Sequence, residues 1–152
     1  MEIMEHRPVS GLGDNLVRGE WGEASAGAVI LAAGMDGFAL MDTHLAHPAG
    51  SGIKGQAALL DCDLGAAPQL YADGVYVIPH EGGVTSIGST SEKTWDHPLE
   101  VDEKLEAVIE KARAIFPALG TAPVIQRWAG LRPKARRRHP MLGPVPGLKG
   151  VF

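Results

Sequence analysis

At 152 residues, 45% hydrophobic and with a net charge of −4, the chain is long enough for one globular domain with a real core. A single cysteine, Cys62, rules out an internal disulfide and makes a reducing cytoplasm the expected compartment; within the apolar stretch 57–64 it reads as a small buried hydrophobe. MEIMEHRP at the N-terminus carries charge where a signal peptide needs an apolar core, and the longest apolar run, near AGAVILAAGM, is too short to span a bilayer, so a soluble chain is expected.

Residues 1–25 are Gly-rich and polar, with a strand expected at 15–21. AVILAA at 28–33 is a continuous apolar run closed by Gly34, the pattern of a strand buried on both faces in a largely parallel sheet. Residues 37–52 read as a loop with a helical turn near 38–41. G-x-G-x-x-G occurs at 50–55, but a phosphate cradle needs a strand before its first glycine and a helix beginning at its last. Here a His-Pro-Ala loop precedes the motif and strand-like sequence follows, so it is rejected. His44 and His47 have H-x-x-H spacing without a Cys, Glu or third His nearby, and no metal site is assigned.

From 55 to 91 the signals are those of antiparallel sheet: strands at 57–62 and 69–72, a β-rich run at 75–79, and a Gly-bearing turn at 80–83 leading to 84–89. Alternation puts Val75, Val77 and Pro79 on one face and Tyr76 and Ile78 on the other. A helix is expected over 103–116, with Asp102 as N-cap. Leu105, Val108, Ile109, Ala112, Ile115 and Phe116 recur at helical spacing until Pro117, while Glu106, Glu110, Lys111 and Arg113 form a solvent face. No catalytic carboxylate pair is legible in it. A further strand at 123–132 carries Trp128 and Arg132.

The most informative stretch is WAGLRPKARRRHPMLGP at 128–144. Gly130 lets backbone approach closely, Pro133 fixes the exit direction, and Arg132 between them carries a planar fork suited to a small carboxylate. The bland alternative is a surface arginine with its stem on Trp128. All 18 acidic residues lie at or before Glu110, whereas 111–152 holds nine of the 14 Lys and Arg. The densest basic cluster is Lys134, Arg136, Arg137, Arg138 and His139. It is short and lacks interleaved aromatics, so it reads as a solvated loop or an attractor of anionic substrate and cofactor phosphates, and no nucleic-acid partner is expected.

WAGLRP followed by HPMLGP, preceded in order by AGAVILAAG at 26–34, IKGQAALL at 53–60, DGVYVIP at 73–79 and GVTSIGST at 83–90, resembles the D-amino-acid oxidase family of flavoproteins, which includes glycine and sarcosine oxidases. The likeness runs over roughly 26–152 and corresponds to the family's central to C-terminal portion. It implies a partial FAD-binding region at 1–52, a substrate-binding antiparallel sheet at 53–134 and a return segment toward the FAD-binding domain at 135–152. The pattern as a whole is α+β: an antiparallel sheet backed by a helix, with part of a parallel flavin-binding layer.

The resemblance also implies roles. Ala33 and Gly34 would lie against the cofactor's adenosine or pyrophosphate, although Met35 and Asp36 replace the aromatic and serine that often follow in relatives. Gly130 and Leu131 would lie near the flavin, Arg132 would pair the substrate carboxylate, and Tyr76 would add a hydrogen bond or, alternatively, merely fill core. FAD would accept a hydride from the α-carbon of an amine or amino acid, so no catalytic side chain is required. The family's G-x-G-x-x-G unit is expected upstream of residue 1 and a last flavin-contacting segment after Phe152. The chain therefore reads as a fragment or subunit of such an oxidoreductase, forming a homo-oligomer or joining a partner polypeptide. The competing reading is a non-catalytic binding or assembly module that cannot hold FAD without a partner chain.

Overall fold

The computed structural model describes residues 2–137 and 139–152; Arg138 of the basic cluster lies outside the described residues. The fold is α+β, and the chain divides into two compact units, Met1–Ser51 with Pro133–Phe152, and Gly52–Arg132.

In the first unit, β1 (Gly11–Gly13), β2 (Leu16–Gly19) and β3 (Gly22–Ser25) form an antiparallel meander in that order. Gly19 has no room for a side chain, because the Trp21 indole, donating to the Pro8 carbonyl at 2.7 Å, occupies the space. Val29 and Val151 form a parallel bridge, with Val29 N–H donating to Gly150 and Leu31 N–H to Phe152. Helix α1 (Asp36–Asp42) buries Phe38. Leu12, Val145 and Val151 are the buried centre of this unit, with Val29, Leu31, Leu40 and Met41 packed around them.

One expectation fails here. The run at 28–33 is not buried on both faces: Val29 and Leu31 face the core, whereas Ile30 is 78% exposed. Its hydrogen-bonded neighbour is the single segment 150–152, and the described residues of this unit lay nothing over Ile30, so period-two alternation decides burial.

In the second unit, β4 (Gly50–Leu60), β5 (Leu70–Ala72), β6 (Val75–His80), β7 (Val84–Gly88) and β8 (Val124–Ala135) form a sheet ordered β5-β6-β7-β4-β8; the chain enters the unit within β4 and leaves it within β8. β5, β6, β7 and β4 pair antiparallel in succession. Helix α2 (Glu103–Ile115) covers one face. Its Leu105, Ile109 and Ala112 pack with Ala58 and Leu60 of β4, Val75 and Val77 of β6, and Ile87 of β7. Each Leu or Ile buried in this way contributes about 1.5–3 kcal/mol. Asp102 caps the helix by accepting from Lys104 N–H at 3.0 Å, and the helix ends just before Pro117.

Two boundaries and the setting of one helix face differ from the sequence reading. β4 begins at Gly50, so the whole G-x-G-x-x-G stretch is strand and offers no turn into a helix. β8 continues to Ala135. The charged side of α2 is not simply solvated: Arg127 Nε donates to Glu106 at 2.9 Å, Lys111 to the Asp73 carbonyl at 2.6 Å and Arg113 to the Ala122 carbonyl at 2.6 Å, so long side chains tether neighbouring loops and strand to the helix. Cys62 is a half-buried free thiol packed against the helix-side core.

Candidate functional site

The sheet of the second unit has an open face opposite α2. Because Ala58 and Leu60 of β4 point to the helix, Gly55 and Ala57 point away from it. Strand register aligns Tyr71, Tyr76, Gly88 and Ala57 in a row across four strands. Two aromatics thus stand beside two residues with almost no side chain. Gly88 must be small, since a Cβ there would approach the Ala57 Cβ to 3.0 Å. Tyr71 and Tyr76 are 61% and 42% exposed, with ring centroids 4.5 Å apart. Tyr76 therefore does not fill core; it stands on the open face, as alternation against Val75 and Val77 requires. On the same strand and face, His80 Nε2 lies 2.7 Å from Ser86 Oγ.

Arg132 leans onto this face from β8. Its Nη2 donates to the Thr90 carbonyl at 3.1 Å, and a Cβ on Gly55 would lie 3.3 Å from its Nε, so the bare backbone of Gly55 is what lets the guanidinium settle there. The guanidinium rests on Gly55 and Thr90. One of its five N–H donors is used in that bond, which fixes the fork and leaves donors for an anion. Gly130 has an ordinary backbone conformation, and a Cβ placed on it would meet nothing within 4 Å. Nothing within the described residues demands a glycine there. Gly130 and Leu131, being consecutive in a strand, present opposite faces.

Behind Arg132 lies a buried polar network that the sequence reading missed. Gln56, fully buried, donates from Nε2 to Glu92 at 2.9 Å and to Asp102 at 2.7 Å, and its Oε1 accepts the Asp102 N–H at 2.8 Å. Thr90 Oγ1 donates to Glu92 at 2.6 Å and accepts the Gln56 N–H at 3.0 Å, while buried Lys54 pairs with Asp102 at 3.2 Å. The residue whose carbonyl holds Arg132 is thereby tied to the cap of α2. Hydrogen bonding from Gln56, opposed by partial burial and aided by the Lys104 N–H and by Lys54, draws the Asp102 carboxyl down to about 2. Burial pushes Glu92 upward, but hydrogen bonds from Lys104, Thr90 and Gln56 outweigh it and leave its carboxyl below the usual range. The Glu92 partner in turn holds the Lys104 ammonium above its ordinary value. Lys54 and Gln56 alternate within IKGQ on the inward side of β4, and polar residues at inward positions were the available signal.

In the first unit, a cavity of about 550 Å³ is lined by Leu31, Gly34, Phe38, Met41, Leu142 and Phe152 among others. Gly34 adopts φ 58°, a conformation favouring glycine, and a Cβ there would meet nothing within 4 Å, so with exposed Ala33 it presents open backbone. These residues fit the flat apolar portion of FAD. A pyrophosphate cradle is not formed among the described residues: α1 has seven residues, and Met35 before it makes no side-chain capping bond.

Comparison with known proteins identifies the family. The model of the FAD dependent oxidoreductase (DAO) family matches residues 1–152, so the likeness includes the N-terminal meander as well as the segments from residue 26 onward. Glycine oxidase of Pseudomonas aeruginosa is 35% identical over 133 residues, which are 86% of this chain and 36% of that protein. Glycine oxidase of Bacillus subtilis is 28% identical over 151 residues, 95% of this chain and 41% of that one. The crystal structure of glycine oxidase from Geobacillus kaustophilus superposes with a TM-score of 0.72 at 25% identity, over 90% of this chain and 38% of its own. L-proline dehydrogenase from P. horikoshii, at 20% identity, shares the fold with a TM-score of 0.81, over 97% of this chain and 43% of its own. The chain spans about two fifths of the length of these relatives. By sequence and by fold, it belongs to the family of FAD-dependent oxidoreductases typified by the D-amino-acid and glycine oxidases.

Proposed function

We propose that this chain is the substrate-facing portion, with a partial FAD-binding region, of an enzyme that oxidises an amine or amino acid. The observation that carries this reading is Arg132, oriented by Thr90 over Gly55 with donors to spare on an open sheet face. Arg132 pairs the substrate carboxylate, and Tyr76, standing on the same face, contributes a hydroxyl and a ring to the amine end. Gly55, Ala57 and Gly88 keep the floor between them low. FAD, when bound, supplies an acceptor for the hydride leaving the α-carbon, so that the substrate departs as an imine that water hydrolyses. Ala33 and Gly34 would hold the cofactor, with Gly130 and Leu131 near it. No side chain of this chain need transfer a proton in covalent chemistry; positioning is its contribution.

In domain terms, 1–52 is the partial FAD-binding region, 53–134 the substrate-binding sheet and 135–152 the return segment. Glycine, named in the relatives, is the first substrate to test, in a cytoplasmic setting. In the assembled enzyme, Arg132→Lys should lower amino-acid-dependent flavin reduction while leaving flavin content unchanged; undiminished reduction removes Arg132 from the site. A second reading, a module that holds FAD only with a partner chain, is favoured by the lack of a pyrophosphate cradle among the described residues. A flavin absorbance spectrum of the purified chain distinguishes the two.

A further inference from the structure

A second cavity of the first unit, about 250 Å³, is lined by two facing segments: Leu45, His47 and Ala49 from one, and Arg136, Arg137 and His139 from the other, with Met141 adjoining. The segments are fastened together. Arg136 N–H donates to the Ala49 carbonyl at 2.9 Å, and the Ala49 N–H donates to Asp42 Oδ1 at 2.7 Å. No carboxylate lines the cavity, and among the described residues Arg136, Arg137, His47 and His139 stand in no ion pair. The segment 133–152 contains no Asp or Glu at all.

Charge of one sign concentrated around a small recess with apolar walls selects an anion that carries an apolar body. The number of donors decides which anion. A carboxylate spreads one charge over two oxygens, whereas a phosphate monoester brings three acceptor oxygens and close to two charges, the better match to two guanidinium forks and an imidazole. The recess is too small, and the cluster too short, for a polyanion to gain by it. We propose that this cavity binds a small organic phosphate, its phosphoryl group held by Arg136, Arg137 and the flanking histidines and its apolar body against Leu45, Ala49 and Met141. The recess adjoins the cavity beside Gly34, sharing Leu45, Ala135 and Met141 with it, and differs from it in the basic side chains that line it.

The test is calorimetric titration of the full chain with phenyl phosphate, alongside inorganic phosphate, benzoate and a single-stranded 20-mer. Phenyl phosphate should bind with one-to-one stoichiometry, at least tenfold more tightly than inorganic phosphate or benzoate. Arg136→Ala with Arg137→Ala should weaken it tenfold or more, a change of about 1.4 kcal/mol per tenfold. Ala46→Trp, placed in the cavity wall, should weaken phenyl phosphate while sparing the thermal transition. Equal binding of inorganic phosphate and phenyl phosphate, or tightest binding of the 20-mer, would show a merely charged surface and overturn the proposal. Failure of phenyl phosphate to bind at millimolar concentration overturns it as well.

Discussion

Arg132 and Gln56 show how differently two residues announce themselves in a sequence. Arg132 sits between Gly130 and Pro133 in a motif, and its anchoring chemistry could be argued from residue type. What could not be read was its resting place, because Gly55 and Thr90 reach it only through strand pairing. In the assembled enzyme, Arg132→Lys should lower kcat/KM for an amino acid by roughly one to three orders of magnitude, since the charge is kept but the fork is lost. Steady-state kinetics against amino-acid concentration measure this, and a value near wild type refutes the clamp. Gln56 carries no motif at all. Buried with both ends of its amide engaged, it should cost about 2–4 kcal/mol when replaced by leucine, because Asp102 and Glu92 lose a donor and the Asp102 N–H loses its acceptor. Urea unfolding of Gln56→Leu tests this; a loss below about 0.5 kcal/mol, within the range of surface substitutions, contradicts it.

At the scale of elements, legibility followed the strength of local signals. Helix α2 announced itself through a capping aspartate, an apolar stripe and a terminal proline, all local. The strands from Ala57 to Gly88 were legible because their alternation is set by one covered face. The run at 28–33 was misread, since a continuous apolar stretch looks the same whether one face or two are covered, and Ile30 shows that it is one. The cap of α2 also makes an acid prediction. Asp102 and Glu92 both ionise more readily folded than unfolded, so the stabilisation they supply is complete above the ordinary carboxylate range near about pH 4 and disappears as pH falls toward about 2. Lys104 has the opposite sign: its raised value stabilises the fold below the ordinary lysine range and loses that effect in strong alkali. The stability gap between the wild type and Gln56→Leu should therefore narrow between pH 4 and pH 2. Thermal melts of both proteins at these two pH values measure the gap, and a constant gap would mean that the network is not charge-assisted.

For the molecule as a whole, two features bear on what the chain does alone. Apolar side chains are left bare in both units, among them Ile30 at 78% and Leu142 at 96% exposure in the first and Ile125 at 54% in the second, and β5 and β8 are edges of their sheet. Bare apolar surface and open edges favour association, so a dimer or larger species is expected, and light scattering showing a monomer at high concentration would count against it. Cofactor affinity follows from a different balance. The cavity beside Gly34 offers apolar contact to a flat ring, but tight dinucleotide binding also draws on amides at a helix N-terminus and an acidic residue on a ribose. The described residues place α1, a helix of seven residues, after Gly34, and the G-x-G-x-x-G stretch is committed to β4. Ring contact without a phosphate cradle leaves the larger charged part of FAD unpaid in desolvation, so the isolated chain should bind FAD no better than micromolar. Fluorescence titration measures it directly, and a sub-micromolar dissociation constant would mean that this chain closes a dinucleotide site by some geometry other than a strand feeding a helix.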